Sequence, residues 1–239
     1  MNREVNPFVA ASKIESNGPF IGREDDFKYI VGLMEGVQPT SINIVGDKRL
    51  GKSCLLYRFS QFWEHLVGKS DKYVVIYLSC GNLAKTQEFY QHVSEKLYTN
   101  NHVNENSELY NSMQTADWNK EGFNLAIKKW QQLGVLPVLC LDDFENLLKN
   151  ESEFNNDFYD NLRTLMGDNK LMLIIASLKK LKIYKKNYHL SSTFFNMGHV
   201  RYLEHFNGDD NSGEVGDLLA CRKTALTLPF LSPVFGFQY

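Results

Sequence analysis

Residues 46–53 read Gly46-Asp47-Lys48-Arg49-Leu50-Gly51-Lys52-Ser53, a complete G-x-x-x-x-G-K-[ST] string. A string of this kind can wrap a phosphate chain. Its glycines let the backbone close on phosphate oxygens, its lysine reaches the β- and γ-phosphates, and its serine hydroxyl can sit on Mg²⁺. The chemistry requires a strand before the loop and a helix after it, because the free N–H groups and the dipole at a helix N-terminus then point at the anion. Both are expected here. Ser41-Ile42-Asn43-Ile44-Val45 is largely apolar, and Ser53 to Leu66 carries a helical pattern. Gly46, Asp47, Lys48, Arg49, Leu50, Gly51, Lys52, Ser53 and Cys54 are accordingly assigned to nucleotide binding, with Ser53 also on the metal.

A hydrolysing site also needs an acidic group at the end of a neighbouring strand. Val138-Leu139-Cys140-Leu141-Asp142-Asp143-Phe144-Glu145 supplies one. Asp142 falls at the C-terminal tip, where open α/β sheets place their ligands, and can hold Mg²⁺ through water. Asp143 can polarise the attacking water, with Glu145 as support or as a competing base. The other account of these three acids is that they cap the next helix. Ser177 ends the run Ile174-Ile175-Ala176 and is a candidate to sense the γ-phosphate or orient water. It serves equally as an N-cap for a segment starting at Leu178.

The elements that must position these groups can be read from the same chain. A helical pattern starts near Arg23, with Phe27, Ile30, Val31 and Met34 at spacings of three and four. Tyr73 to Leu78 is a nearly continuous β-forming run, as befits a strand buried on both faces. Helical patterns follow at 85–98 and 118–133, then a strand at 138–141, a helix at 154–166, a strand at 171–176 and a shorter one at 199–203. Thr99 to Asp117, rich in Asn, Ser and Glu, reads as an exposed connection. Alternating strands and helices predict an α/β fold with a doubly wound, mainly parallel sheet and helices on both faces. The boundaries expected are an extended lead-in over 1–22, the main domain over 23–205, and an incomplete, weakly ordered segment over 206–239.

The bulk numbers narrow the classes. With 239 residues, 43% of them hydrophobic, the chain can bury a sizeable core. Its 26 basic and 28 acidic residues leave a formal charge of −2, which does not favour a polyanion-binding surface. The basic stretches at Lys179-Lys180-Leu181-Lys182 and Lys185-Lys186 are read as a solvated helix face. Of the four cysteines, Cys54, Cys80 and Cys140 lie in or beside apolar runs, as reduced thiols do in a reducing compartment. The polar N-terminus has no signal-peptide core, and no apolar run approaches the ~18–20 residues that a bilayer requires. A cytoplasmic protein with no membrane contact is expected.

Phosphate loop, strand ending in Asp-Asp-Phe-Glu and strand ending in Ser177 occur in the order found in the AAA+ and STAND branches of the P-loop ATPases (ASCE class). Upstream, Pro19-Phe20-Ile21-Gly22-Arg23-Glu24-Asp25-Asp26-Phe27 resembles the F-x-G-R-E-x-E-L box of that group, shared by replication initiators and bacterial STAND ATPases. The resemblance covers roughly residues 7 to 205. It implies a sheet ordered 5-1-4-3-2, ATP with Mg²⁺, a base pocket that includes Phe20, Ile21, Gly22 and Arg23, and a slowly hydrolysing regulatory switch that acts on a protein target or as a homo-oligomer. Three departures stand out. The family's Asp-Glu at the strand tip is Asp142-Asp143 here, about one methylene short, so water activation slows or passes to Glu145. No clear arginine finger is found, and Arg163 and Arg201 are candidates by elimination only. The helical lid is short: Glu214 to Cys221 supply at most one helix, and Arg222 has no strong claim as a sensor. A nucleotide-binding scaffold without turnover and a DNA-associated, initiator-like ATPase are the alternatives. Net negative charge and the missing winged helix oppose the second.

Overall fold

The computed structural model describes residues 23–114 and 117–204. The lead-in over 1–22, the lid segment from 206 onward and the base-pocket residues Phe20, Ile21 and Gly22 lie outside the described residues. Helix α1 (Glu24–Met34) opens with Glu24, Asp25 and Asp26 in its first turn, where negative charge complements the dipole. It buries Phe27, Ile30 and Met34 along one face. Strand β1 (Ile42–Val45) then leads through the loop into α2 (Lys52–Phe62), followed by β2 (Tyr73–Ser79) and α3 (Thr86–Tyr98). Next come α4 (Asn101–Glu105), α5 (Ser107–Gln114), α6 (Lys120–Gln132) and β3 (Leu136–Asp142). A 3₁₀ turn at Phe144–Lys149, α7 (Asn156–Gly167), β4 (Met172–Ser177), α8 (Leu181–Asn187) and β5 (His199–Tyr202) complete the described chain.

The five strands form one sheet ordered β2-β3-β4-β1-β5, every pair of neighbours parallel. This is the expected order 5-1-4-3-2. The near-continuous apolar runs follow from it: alternate residues of each inner strand face opposite layers, and both layers are covered. In β3, Val138 and Cys140 join the core beneath α1 and α2, with Ile42, Ile44, Phe59, Trp63, Ile174 and Ala176. Leu139 and Leu141 join the opposite core, which contains Phe89, Phe123, Trp130, Phe158 and Tyr159 from α3, α6 and α7. The α/β, doubly wound architecture stands as read from the sequence.

One expectation is corrected. Residues 99–117 are not merely an exposed connection: most of the segment folds into α4 and α5, which bury Val103, Leu109 and Met113 in the second core. Asn100 accepts a hydrogen bond from the His102 backbone N–H and so starts α4, while Trp130 Nε1 on α6 donates to Ser112 Oγ at 2.8 Å. Helices of 5 and 8 residues are too short to show an apolar period, and three apolar contacts were hidden among polar neighbours. Among the cysteines, Cys80 and Cys140 are buried free thiols as expected.

Candidate functional site

The C-terminal ends of the parallel strands gather the groups picked out from the sequence. The loop leaves β1 at Gly46, where a Cβ would stand 3.1 Å from Leu50 Cδ1 and 3.3 Å from the Leu203 carbonyl oxygen. Only glycine fits there without moving backbone. Arg49 and Gly51 both adopt left-handed conformations, at φ 72° and 84°. Gly51 is the N-cap of α2 and makes no side-chain cap, so the first N–H groups of this 11-residue helix face the loop's interior uncapped by a side chain. Leu50 is buried and pins the loop to the core, and Cys54 is buried one turn into the helix. Asp47, Lys48 and Arg49 are exposed. Of the nine loop residues assigned from the sequence, Leu50 and Cys54 therefore face protein with their side chains.

Lys52 Nζ donates to the carbonyl oxygens of Gly46 and Asp47, each at 2.8 Å. Burial pushes its pKa down, and the carboxylates of Glu145, Asp142, Asp143 and Asp47 push it back up. All three acids of the β3 tip thus lie within electrostatic range of the loop lysine. Asp142 is 3% exposed. Its Oδ1 accepts from the Asp143 backbone N–H at 3.0 Å and its Oδ2 from the Tyr77 hydroxyl at 2.8 Å. Asp143 stands at the N-cap position of the 3₁₀ turn, at φ 51°, and makes no capping hydrogen bond with its side chain. The capping account is therefore not what its carboxylate does. Partial burial, then the neighbouring Asp142 charge, raise the Asp143 pKa, with Lys52 and Lys149 opposing. Burial likewise raises Glu145, whose Oε2 is shielded from solvent and has no hydrogen-bond partner.

Ser177 ends β4 as expected but is almost fully buried. Its hydroxyl accepts from Asn43 Nδ2 and donates to the Lys179 carbonyl, each at 2.8 Å. It does not cap the following helix. That task falls to Asn43, whose Oδ1 accepts from the Leu181 N–H at 3.2 Å across the sheet. Arg23 ties the start of α1 to the loop, donating to the Leu50 carbonyl at 3.3 Å and to the Glu204 carbonyl at 2.8 Å. Arg201 is held in an ion pair with Asp26 at 2.6 Å, and Arg163 is exposed on α7. Asn43 and Tyr77 were missed by sequence reasoning, because a polar residue inside an apolar strand carries no local sign of its partner.

The donor set at this end is hard oxygen: the Ser53 hydroxyl, half-buried in the first turn of α2, and the Asp142 carboxylate. Such donors fit Mg²⁺, which keeps most of its waters and is completed by phosphate oxygens. With both Asp142 oxygens already in hydrogen bonds, a contact through water fits better than direct ligation. Among the described residues no group of three or more His, Cys, Asp or Glu is placed to cage a metal alone.

A family profile described as "Bacterial TniB protein" matches residues 24–202. The chain belongs to the TniB family. No curated protein sequence matches this TniB-family chain. Among solved structures it is similar to the ORC1 protein of Aeropyrum pernix in complex with DNA, with a TM-score of 0.55 at 13% identity over 87% of this chain and 51% of that one. The Walker-type ATPase of Pyrococcus abyssi gives 0.57 at 16% identity, over 87% and 60%. The ORC2 protein of Aeropyrum pernix, solved as ADPNP–ADP complexes, gives 0.52 at 13%, over 75% and 46%. The chain therefore spans about half to three fifths of the length of these neighbours. At such identity the likeness is one of fold, that of the P-loop ATPases. No helix among the described residues is long and apolar enough to cross a membrane.

Proposed function

We propose that this TniB-family chain binds Mg-ATP in the loop between β1 and α2 and hydrolyses it slowly, as a regulatory switch. The observation that carries the proposal is the convergence of Lys52, the α2 N-terminus and the three β3-tip acids at one end of the sheet. Lys52 leaves the Gly46 and Asp47 carbonyls to take β- and γ-phosphate oxygens, and the α2 N–H groups hold the β-phosphate. Ser53 and, through water, Asp142 would hold Mg²⁺, which would supply positive charge beside the phosphates. Asp143 or Glu145 orients the attacking water and takes its proton; both carboxyls have pKa values raised toward the working range of a base. Ser177 contributes through Asn43, by fixing the end of β4 beside the loop. Preference for adenine rests on the box around Arg23, as does the STAND-like switch behaviour.

Mg-ATP binding and single-turnover hydrolysis on wild type, Lys52→Ala and Asp143→Ala test the proposal. Binding by wild type that Lys52→Ala loses by at least tenfold is the expected result, with hydrolysis depending on an acid of the β3 tip. Binding without hydrolysis would make the chain a nucleotide-gated scaffold. Absence of binding would sink the assignment. A DNA-associated role is the second reading, favoured by the exposed Lys179, Lys182 and Lys186 just past the end of β4 and by the DNA-bound state of the ORC1 neighbour. Duplex binding that weakens steeply with salt is its test.

A further inference from the structure

Asp142 owes its orientation to a residue on another strand. Tyr77 lies on β2 in register with Cys140, two residues before Asp142, so both side chains rise on the same face of the sheet. Its hydroxyl donates to Asp142 Oδ2 at 2.8 Å, and burial together with the Asp142 charge keeps that phenol protonated. The Tyr77 ring is held in turn by Tyr57, edge to face, with centroids 5.5 Å apart and planes at 87°. Tyr57 belongs to α2, four residues beyond Ser53 and on the same side of that helix. One tyrosine pair thus spans the gap between the helix that carries Ser53 and the strand that carries Asp142.

We infer that Tyr77 is the positioning residue for divalent-cation binding at the nucleotide site, fixing the Asp142 carboxylate against α2 through its hydroxyl. The inference rests on the proposed Mg-ATP site. The hydroxyl occupies one lone pair of Oδ2 and the Asp143 N–H one of Oδ1, which locks the carboxylate plane and leaves its remaining lone pairs for metal-bound water. Without the hydroxyl, the buried carboxylate is free to turn and must recruit water in its place. Outer partners of this kind change metal affinity by about 10–100-fold.

The test is Mg²⁺-dependent binding of a fluorescent ATP analogue to the full chain, with Mn²⁺ in place of Mg²⁺ for a paramagnetic-resonance count of bound metal. In Tyr77→Phe the metal concentration at half-saturation should rise about tenfold, while affinity for metal-free nucleotide stays at the wild-type value. Tyr57→Phe, which keeps the ring contact, should leave both unchanged. In an Asp142→Asn background, Tyr77→Phe should add nothing. Superimposable metal titrations for Tyr77→Phe and wild type would overturn the inference. So would equal weakening of metal-free and metal-loaded binding, which marks a structural role only, or additive effects with Asp142→Asn. Wild type that binds ATP without any gain from metal defeats the role of Tyr77 and leaves the phosphate loop standing. Wild type that binds no nucleotide defeats both.

Discussion

Glu145 keeps Oε2 out of water without a partner, and burial raises its carboxyl pKa above the ordinary 4.5. The sign of the resulting pH dependence is opposite to that of a salt-bridged acid. A raised folded-state pKa means that the folded chain binds this proton more tightly than the unfolded chain does. The group therefore costs nothing below the unfolded value, and its cost grows as pH climbs from there through the folded value. Glu145→Gln should raise the melting temperature at pH 7.5 by about 2–4 °C, the shift that ~1 kcal/mol gives a domain of this size. At about pH 4 the difference should vanish. Scanning calorimetry at the two pH values checks this, and a lower melting point at pH 7.5 would show that Lys52 more than compensates the charge. The same variant should slow single-turnover hydrolysis, the usual exchange of stability for a strained site. Comparison with Asp143→Asn then decides which acid serves the water.

At the scale of elements, the β-strand tips and the start of α2 do the positioning, and the remaining helices hold them there. The pair α4–α5 is the part whose composition hides its role. Leu109 is 3% exposed, among Val103, Met113, Phe123 and Trp130. Leu109→Ala should cost about 2–5 kcal/mol in urea denaturation, as a buried leucine does elsewhere. ATP affinity should not change, because this core lies on the face of the sheet opposite α2. A cost under about 1 kcal/mol would return the segment to the exposed connection its composition suggests. The segment from Phe144 to Lys149 teaches the converse lesson. Acids around the start of a helical turn look like caps, yet the turn is 3₁₀, begins from a left-handed Asp143 and uses no capping side chain.

Across the whole molecule, one buried carboxylate joins the first described residue to the last strand. Asp26 is 5% exposed and pairs with Arg23 at 3.6 Å and Arg201 at 2.6 Å. Arg23 also reaches the Leu50 and Glu204 carbonyls, so α1, the loop between β1 and α2 and the exit from β5 share one ionic tie. Asp26→Asn should cost about 1–3 kcal/mol. That is less than the 3–5 of a fully buried pair, because the Arg201 side chain is 41% exposed. Nucleotide affinity should fall with it, since the loop loses a brace at Leu50. Thermal unfolding and ATP titration of the variant measure both, and wild-type values in each would show the tie to be a surface contact. The candidacy of Arg201 as an arginine finger has to contend with this partner in its own chain.

The glycine-bearing loop at 46–51, the strand that feeds it, the helix that follows and the acidic strand tip were all legible from contiguous residues, because each depends on backbone conformation and on spacing of a few positions. The sheet's class and order followed as well, from apolar runs that only a twice-covered parallel sheet can bury. Contacts between distant segments were decided by tertiary structure alone: Tyr77 on Asp142, Asn43 on Ser177 and Leu181, Asp26 on Arg201, and the burial of 101–114. Hydrogen bonds and ion pairs across 65 to 175 positions leave no periodicity in the chain, since what brings the partners together is the packing of two cores against one sheet.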